Sequence, residues 1–323
     1  GMAEAMFHQE DCVITTTAAA AVSSGEVRQL PDGRAAVYTG LNSAASGDPI
    51  GNQTEGVFLV AKTSSIVILD GGRVYWDASA SKAHFKKVND KDYYIGRAVG
   101  DAASSDTQML VNLNVPEFKY DWTHITHGCL SVPTGTQAVG AFGYPKVLGA
   151  TRELELTSTN EAQCIDMLSK ERFAIESNPI LEAIVCVVAN GSTSAVDFNV
   201  GLANGTSTTD ADAITEHVLF HIDGGDLSIF GQSKDGTTTV AAADSTVDVV
   251  AGSAVANKVE LWIDARDTSN VKLYVDGVRV ISGSTFKLNA GTGPIGALAH
   301  LEKTSSAATG KVHVDFLAIR TQE

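Results

Sequence analysis

Short runs in which apolar and polar residues alternate, broken by glycine, asparagine and aspartate, recur along the whole chain. In the first stretch they are Val13 to Thr15, Glu26 to Leu30, Arg34 to Tyr38, Gly56 to Val60, Ile66 to Leu69, Arg73 to Asp77, Tyr94 to Val99 and Met109 to Leu113. Pro31-Asp32-Gly33, Gly47-Asp48-Pro49 and Asp70-Gly71-Gly72 lie between them. A period of two puts successive side chains on opposite faces of a sheet, and Gly, Pro and Asp adopt the backbone angles that turns need. Strands spaced ~8–12 residues apart predict a small barrel or sandwich over residues 5–115. Pro116 ends the last run, and Glu117 to Asp121 marks a junction.

Beyond it, residues 121–323 carry longer runs: Arg152 to Leu156, Leu181 to Val188, Ala195 to Leu202, His217 to Ile222, Lys258 to Ala265, Val271 to Val280 and Val312 to Ile319. Asn190-Gly191, Asn204-Gly205, Asp235-Gly236 and Asp276-Gly277 supply the positive φ angles of tight hairpins. Many long antiparallel strands over this length predict a jelly-roll sandwich. Glu161 to Glu171 is the one helical candidate, and the Ser/Thr/Ala tracts at Thr15 to Ser24 and Thr237 to Thr246 read as exposed loops or arms. The chain is therefore all-β.

Composition narrows the function. The 323 residues carry 23 Lys+Arg against 38 Asp+Glu, a formal net charge of −15. Such a surface repels phosphates and anionic lipid heads, which argues against nucleic acid and membrane as partners. Cys12, Cys129, Cys164 and Cys186 lie far apart with no Cys-x-x-Cys pair, as buried free thiols would. The sequence has no basic-then-apolar leader and no apolar run of bilayer length. Gly1-Met2 reads as a cleavage scar ahead of the native start.

Two sets of residues resemble known families. Glu55 to Lys62 with Gly72 to Asp77, and Tyr94 to Val99 with Met109 to Leu113, join Ser24 to Val27 in resembling the phage capsid cement or decoration proteins. The resemblance covers about the first third of the chain, and Val74-Tyr75-Trp76-Asp77 is its most specific element. That family also carries an older label, RecA/RadA recombinase. Such an ATPase needs a Gly-x-x-x-x-Gly-Lys-Ser/Thr loop to cradle phosphates. Here Gly310-Lys311 is followed by Val312, with Ser305 where the first glycine belongs, so the recombinase reading fails. In the second stretch, Lys258 to Asp264, Val271 to Gly277 and the closing Val312 to Ile319 resemble the concanavalin-like jelly rolls of lectins and laminin-type domains.

The resemblances imply a structural protein of a phage or prophage head. The first domain would dock on the major capsid protein lattice as a homo-oligomer, and the jelly roll would project as a fibre-like or adhesive module. Assembly would take place in the bacterial cytoplasm. Glu26, Arg73, Trp76 and Arg97 are candidate contacts in the first domain, and Trp262 could stack on a surface glycan. The alternative is a carbohydrate-binding module or glycoside hydrolase on the jelly roll.

Candidate chemistry is sparse. Glu153 and Glu155 share a strand face, as paired glycosidase carboxylates do, but a half-exposed strand gives the same pattern. Glu260, Trp262 and Asp264 read as a solvated face. His124 and His127 would point to opposite faces; His217 and His221 could face one way, but no third ligand is evident. Asp197, Asp210, Asp212, Asp223 and Asp226 crowd the second domain, where the jelly-roll resemblance admits calcium, yet no Asp-x-Asp-x-Asp-Gly loop is present. There is no Gly-x-Ser-x-Gly elbow and no activated cysteine arrangement. The expectation is a protein without catalytic, cofactor or metal residues.

Overall fold

The computed structural model describes residues 12–117, 129–130, 134–135, 145–252 and 256–321. By internal contacts the chain divides into two compact units, Gly1–Glu117 and Phe118–Glu323. The His124 and His127 pair lies outside the described residues.

Unit 1 contains β1 (Val13–Thr17), β2 (Val27–Gln29), β3 (Ala35–Tyr38), β4 (Pro49–Gln53), β5 (Val57–Ala61), β6 (Arg73–Asp77), β7 (Lys82–His84), β8 (Tyr93–Ala98) and β9 (Gln108–Leu113). They form a four-stranded sheet, β1-β4-β3-β2, and a five-stranded sheet, β5-β9-β8-β6-β7. A parallel bridge from Lys62 to Ala83 brings the end of β5 back to β7, so the larger sheet curls into a small barrel. Lys62 is buried there, its Nζ donating to the carbonyls of Thr63, Ala103 and Asp106 at 2.9–3.2 Å. The two sheets are clasped by Asn114, at a φ of 55°. Its carboxamide pairs with both backbone groups of Ala35 (2.9 and 2.8 Å) and donates to Thr54 O at 2.6 Å. Asparagine tolerates this left-handed backbone better than most residues.

Unit 2 contains β10 (Cys129–Leu130), β11 (Lys146–Leu148), β12 (Thr151–Glu155), β13 (Glu161–Ser169), β14 (Ile180–Ala189), β15 (Val196–Ala203), β16 (Glu216–Asp223), β17 (Ser228–Asp235), β18 (Thr239–Asp248), β19 (Val259–Asp264), β20 (Lys272–Val275), β21 (Val278–Val280), β22 (Gly296–Ser306) and β23 (Lys311–Arg320). Two seven-stranded antiparallel sheets result, β10-β13-β22-β15-β16-β17-β18 and β11-β12-β23-β14-β19-β20-β21. Phe198, Val200, Val218, Phe220 and Leu301 of the first pack against Leu181, Val185, Leu261, Ile263 and Val314 of the second in one core. This is the all-β sandwich expected. Helix among the described residues is limited to the single turns Ile175–Ser177 and Ala211–Ala213, neither of them long or apolar enough to cross a membrane.

Several expectations are corrected. The helical candidate Glu161 to Glu171 is strand β13. Ile165 and Met167 face the core while Cys164, Asp166 and Leu168 are buried on the other side, so no alternation was visible. The tract Thr237 to Thr246 lies mostly in β18, an edge strand whose polar residues, apart from buried Ser245, meet solvent. Asp276-Gly277 makes the tight turn expected, with φ of 46° and 75°. Asn204-Gly205 does not: it opens a long connection, residues 204–215, between β15 and β16.

Candidate functional site

Two outward sheet faces carry the features that could meet a partner. The first belongs to unit 1. In β5, Val60 turns inward and Val57, Leu59 and Ala61 turn out. Leu59 pairs directly with Leu110 of β9, and the N–H of Val99, just beyond β8, donates to Leu110 O. Leu59, Leu110 and Val99 thus form an exposed apolar row, with Leu59 61% accessible and Val57 51%. The next row is Val57, Asn112 and Arg97. These paired positions carry no carboxylate and one cation.

Of the sequence-predicted contacts, Arg97 lies beside this row, held by hydrogen bonds to Gly71 O (2.7 Å) and Pro116 O (3.2 Å). Trp76 is 8% exposed, so its ring is largely core. It lines a cleft of about 410 Å³ with exposed Glu26 and Leu59 and half-buried Phe58. Arg73 is buried and lies 4.0 Å from the Glu117 carboxylate. The element Val74-Tyr75-Trp76-Asp77 is buried throughout. Asp77 accepts from the N–H groups of Ser79 and Ala80, which turns the chain from β6 towards β7.

The second face is the outside of the unit 2 sheet that contains β13, β22, β15 and β16. Cross-strand register places Cys164, Glu302, Asp197 and Asp223 in one row. Asp166, His300, Asn199 and His221 form the next. Beyond them Leu168, Leu298 and Leu219 make an apolar strip, and Ala211 and Ile214 of the 204–215 connection pack onto it. The same connection is pinned by polar bonds. Thr206 Oγ1 donates to Asp166 at 2.5 Å, Ser207 O meets His300 Nε2 at 3.0 Å, and Ala211 N donates to Glu302 at 2.9 Å. His300 Nδ1 lies 2.9 Å from Glu302. Burial opposes the imidazolium, but Cys164 and Glu302 outweigh it and raise the His300 pKa to about 10.

The uncovered end of this face holds Asp197, His221 and Asp223, all half-buried, with donor atoms within 4.8 Å of one another. Burial, then the charges of Glu302, Asp223, Asp212 and Asp210, push the Asp197 carboxyl up to about 7. In the sequence Asp197 and Asp223 stand among the acidic turns and His221 in a histidine pair. The register of β15 with β16 joins them. His217 is not part of the group; its Nδ1 meets Ile214 O at 3.0 Å, and burial lowers its pKa.

The remaining candidates are tied up in the opposite sheet. Glu153 is bound to His313 (2.7 Å) and Lys146 (3.2 Å), and Glu155 to Lys311 (2.7 Å). The Glu260, Trp262 and Asp264 face is not solvated. Trp262 is 3% exposed, donates from Nε1 to Glu260 and lies between Glu182 and Tyr274 of adjacent strands, which close over its ring. Cys12, Cys164 and Cys186 form no disulfide.

Residues 7–113 match the family model described as phage cement protein. No curated protein matches the chain. Among solved structures it is similar to the Emp47p carbohydrate recognition domain, at 10% identity over 60% of this chain and 89% of that one, with a TM-score of 0.43. It is also similar to a structure from work on endo-acting O-glycanases of the human gut microbiota, at 12% identity over 57% and 85%, TM-score 0.41. A third is carbohydrate-binding module CBM66 from Bacillus subtilis, at 12% over 52% and 95%, TM-score 0.33. Likeness at this level assigns no ligand or activity to this chain.

Proposed function

We propose that the chain is a structural protein of a phage particle, with unit 1 seated on the capsid lattice and the sandwich of unit 2 carried as a projecting module. The match of residues 7–113 to phage cement proteins supports the setting. The observation that carries the docking surface is the exposed row of Leu59, Leu110 and Val99. A contiguous apolar patch left open to water marks a surface that a partner covers. In a chain of net charge −15, the paired positions of this face hold Arg97 and no carboxylate, and Glu26 is the acidic neighbour in the cleft beside Leu59. Modest burial per copy is enough on a repeated lattice, above all for a homo-oligomer, because linked copies gain avidity without a strong single site.

The alternative, sugar binding or glycoside hydrolysis on unit 2, has less support. Trp262 is buried, Glu153 and Glu155 are neutralised by cationic neighbours, and the 204–215 connection lies over the carboxylates of Asp166 and Glu302.

Co-sedimentation with assembled capsids tests the docking reading. The double variant Leu59→Glu, Leu110→Glu is expected to lose binding by more than about tenfold, since it sets two desolvated charges into the contact. Its melting temperature should stay that of the parent. Binding equal to the parent's would sink the assignment of this face.

A further inference from the structure

We propose that Asp197, His221 and Asp223 form a binding site for a divalent transition-metal ion, zinc foremost, at the open end of the sandwich sheet. The three side chains come from adjacent strands and turn to one face, because Asp197 is paired with Asp223 and Asn199 with His221. Their donor atoms lie within 4.8 Å of one another, and His221 Nε2 is 3.7 Å from Asp197 Oδ1. That gap is long for a hydrogen bond. It is close to the spacing of two ligands on one zinc, since bonds of ~2.0–2.2 Å set the donors about 3.3 Å apart at the tetrahedral angle and further apart as the angle opens.

The state of the imidazole points the same way. His221 Nδ1 lies 2.9 Å from Asn199 Oδ1, which can only accept, so Nδ1 carries the proton and Nε2 presents its lone pair. A metal-binding histidine is typically fixed in this manner, with its second nitrogen donating to a carbonyl. The lone pair then faces a carboxylate oxygen across the 3.7 Å gap, an arrangement that a cation between them stabilises.

Unpartnered polar atoms supply a separate indication. Asp197 Oδ1 is shielded from solvent and has no hydrogen-bond partner. The Asn199 side chain is 1% exposed, and its Nδ2 is likewise without one. Such atoms are rare in folded proteins unless something else satisfies them. An ion would bind the Asp197 oxygen, and a water on that ion would accept from the Asn199 amide. Glu302 is not needed as a ligand: it is held by His300 and by the Ala211 N–H. An imidazole with two carboxylates suits zinc or manganese better than calcium, which takes six to eight oxygens.

The test uses the full chain after dialysis against a chelator. Calorimetric titration with zinc chloride should give a single equivalent bound, manganese weaker, and calcium weaker still. His221→Gln and Asp223→Asn should each weaken zinc by at least about tenfold, whereas Asp226→Asn, at a nearby exposed turn, should not. Asp197→Asn guards against a folding artefact. In chelator it should melt above the parent because it removes like-charge repulsion, and with zinc the parent should overtake it. Three results would overturn the proposal: no zinc uptake, uptake unchanged in His221→Gln and Asp197→Asn, or calcium binding tighter than zinc.

Discussion

The two units each place an apolar strip on an outward sheet face, and they treat it in opposite ways. In unit 2, Leu168, Leu298 and Leu219 are covered by Ala211 and Ile214 of the chain's own 204–215 connection. In unit 1, Leu59, Leu110 and Val99 stand open. The strips are chemically alike, so sequence hydrophobicity does not separate them; what differs is whether the chain supplies a cover. A strip that the chain covers contributes to folding. One that it leaves open is available for association.

The sharpest way to break this comparison is to place a carboxylate in each strip. Ile214→Asp would bury an unpaired charge under the connection and should destabilise unit 2 by about 4 kcal/mol or more. Leu59→Asp should change stability by no more than about 0.5 kcal/mol, because that site is already wet. Urea denaturation of the two variants checks this; similar losses in both would mean that the open strip also serves the fold.

The next effect in size concerns how each unit coheres. Unit 2 shares one continuous core between two facing sheets, and in unit 1 the Asn114 clasp adds a polar tie between β3 and the end of β9. Asn114→Ala removes three hydrogen bonds, strands the backbone groups of Ala35 and sets alanine at a left-handed φ. A loss of about 2–4 kcal/mol in unit 1 is expected. Hydrogen exchange on the full chain should find the loss at β3 and β9, with protection in β14 and β22 unchanged.

How much of this was legible depends on where burial came from. The all-β class and most strands follow from alternation that one buried face imposes, and Asp276-Gly277 identified its hairpin because two positive φ angles leave little choice of residue. Strand β13 was illegible because the 204–215 connection buries its second face and erases the period. Trp262 looked like a platform because neighbouring strands close over it, and pairing between strands far apart in sequence is invisible in a local window. The cluster of Asp197, His221 and Asp223 failed for the same reason. His221 and Asp223 share a face by their spacing of two, but only the register with β15 adds Asp197 and the orienting Asn199.

The smallest effect separates the charged faces of the sandwich. Glu153 is buried in the sheet opposite the acidic cluster. Burial alone would raise its pKa, but His313 and Lys146, with Lys311 close by, hold it below the usual glutamate value. A carboxylate depressed in the folded state adds stability above its unfolded pKa, and that stability is lost as pH falls through the folded value. Asp197 has the opposite sign: its raised pKa favours the folded state as the carboxyl protonates below about 7. Unfolding free energy in chelator, followed from pH 7 downward, should therefore first rise and then fall. Glu153→Gln should flatten only the acid limb, below about pH 4.5, and Asp197→Asn only the rise. If either variant altered the other's limb, the two faces would be electrostatically coupled through the core, and the separation of roles drawn between them would fail.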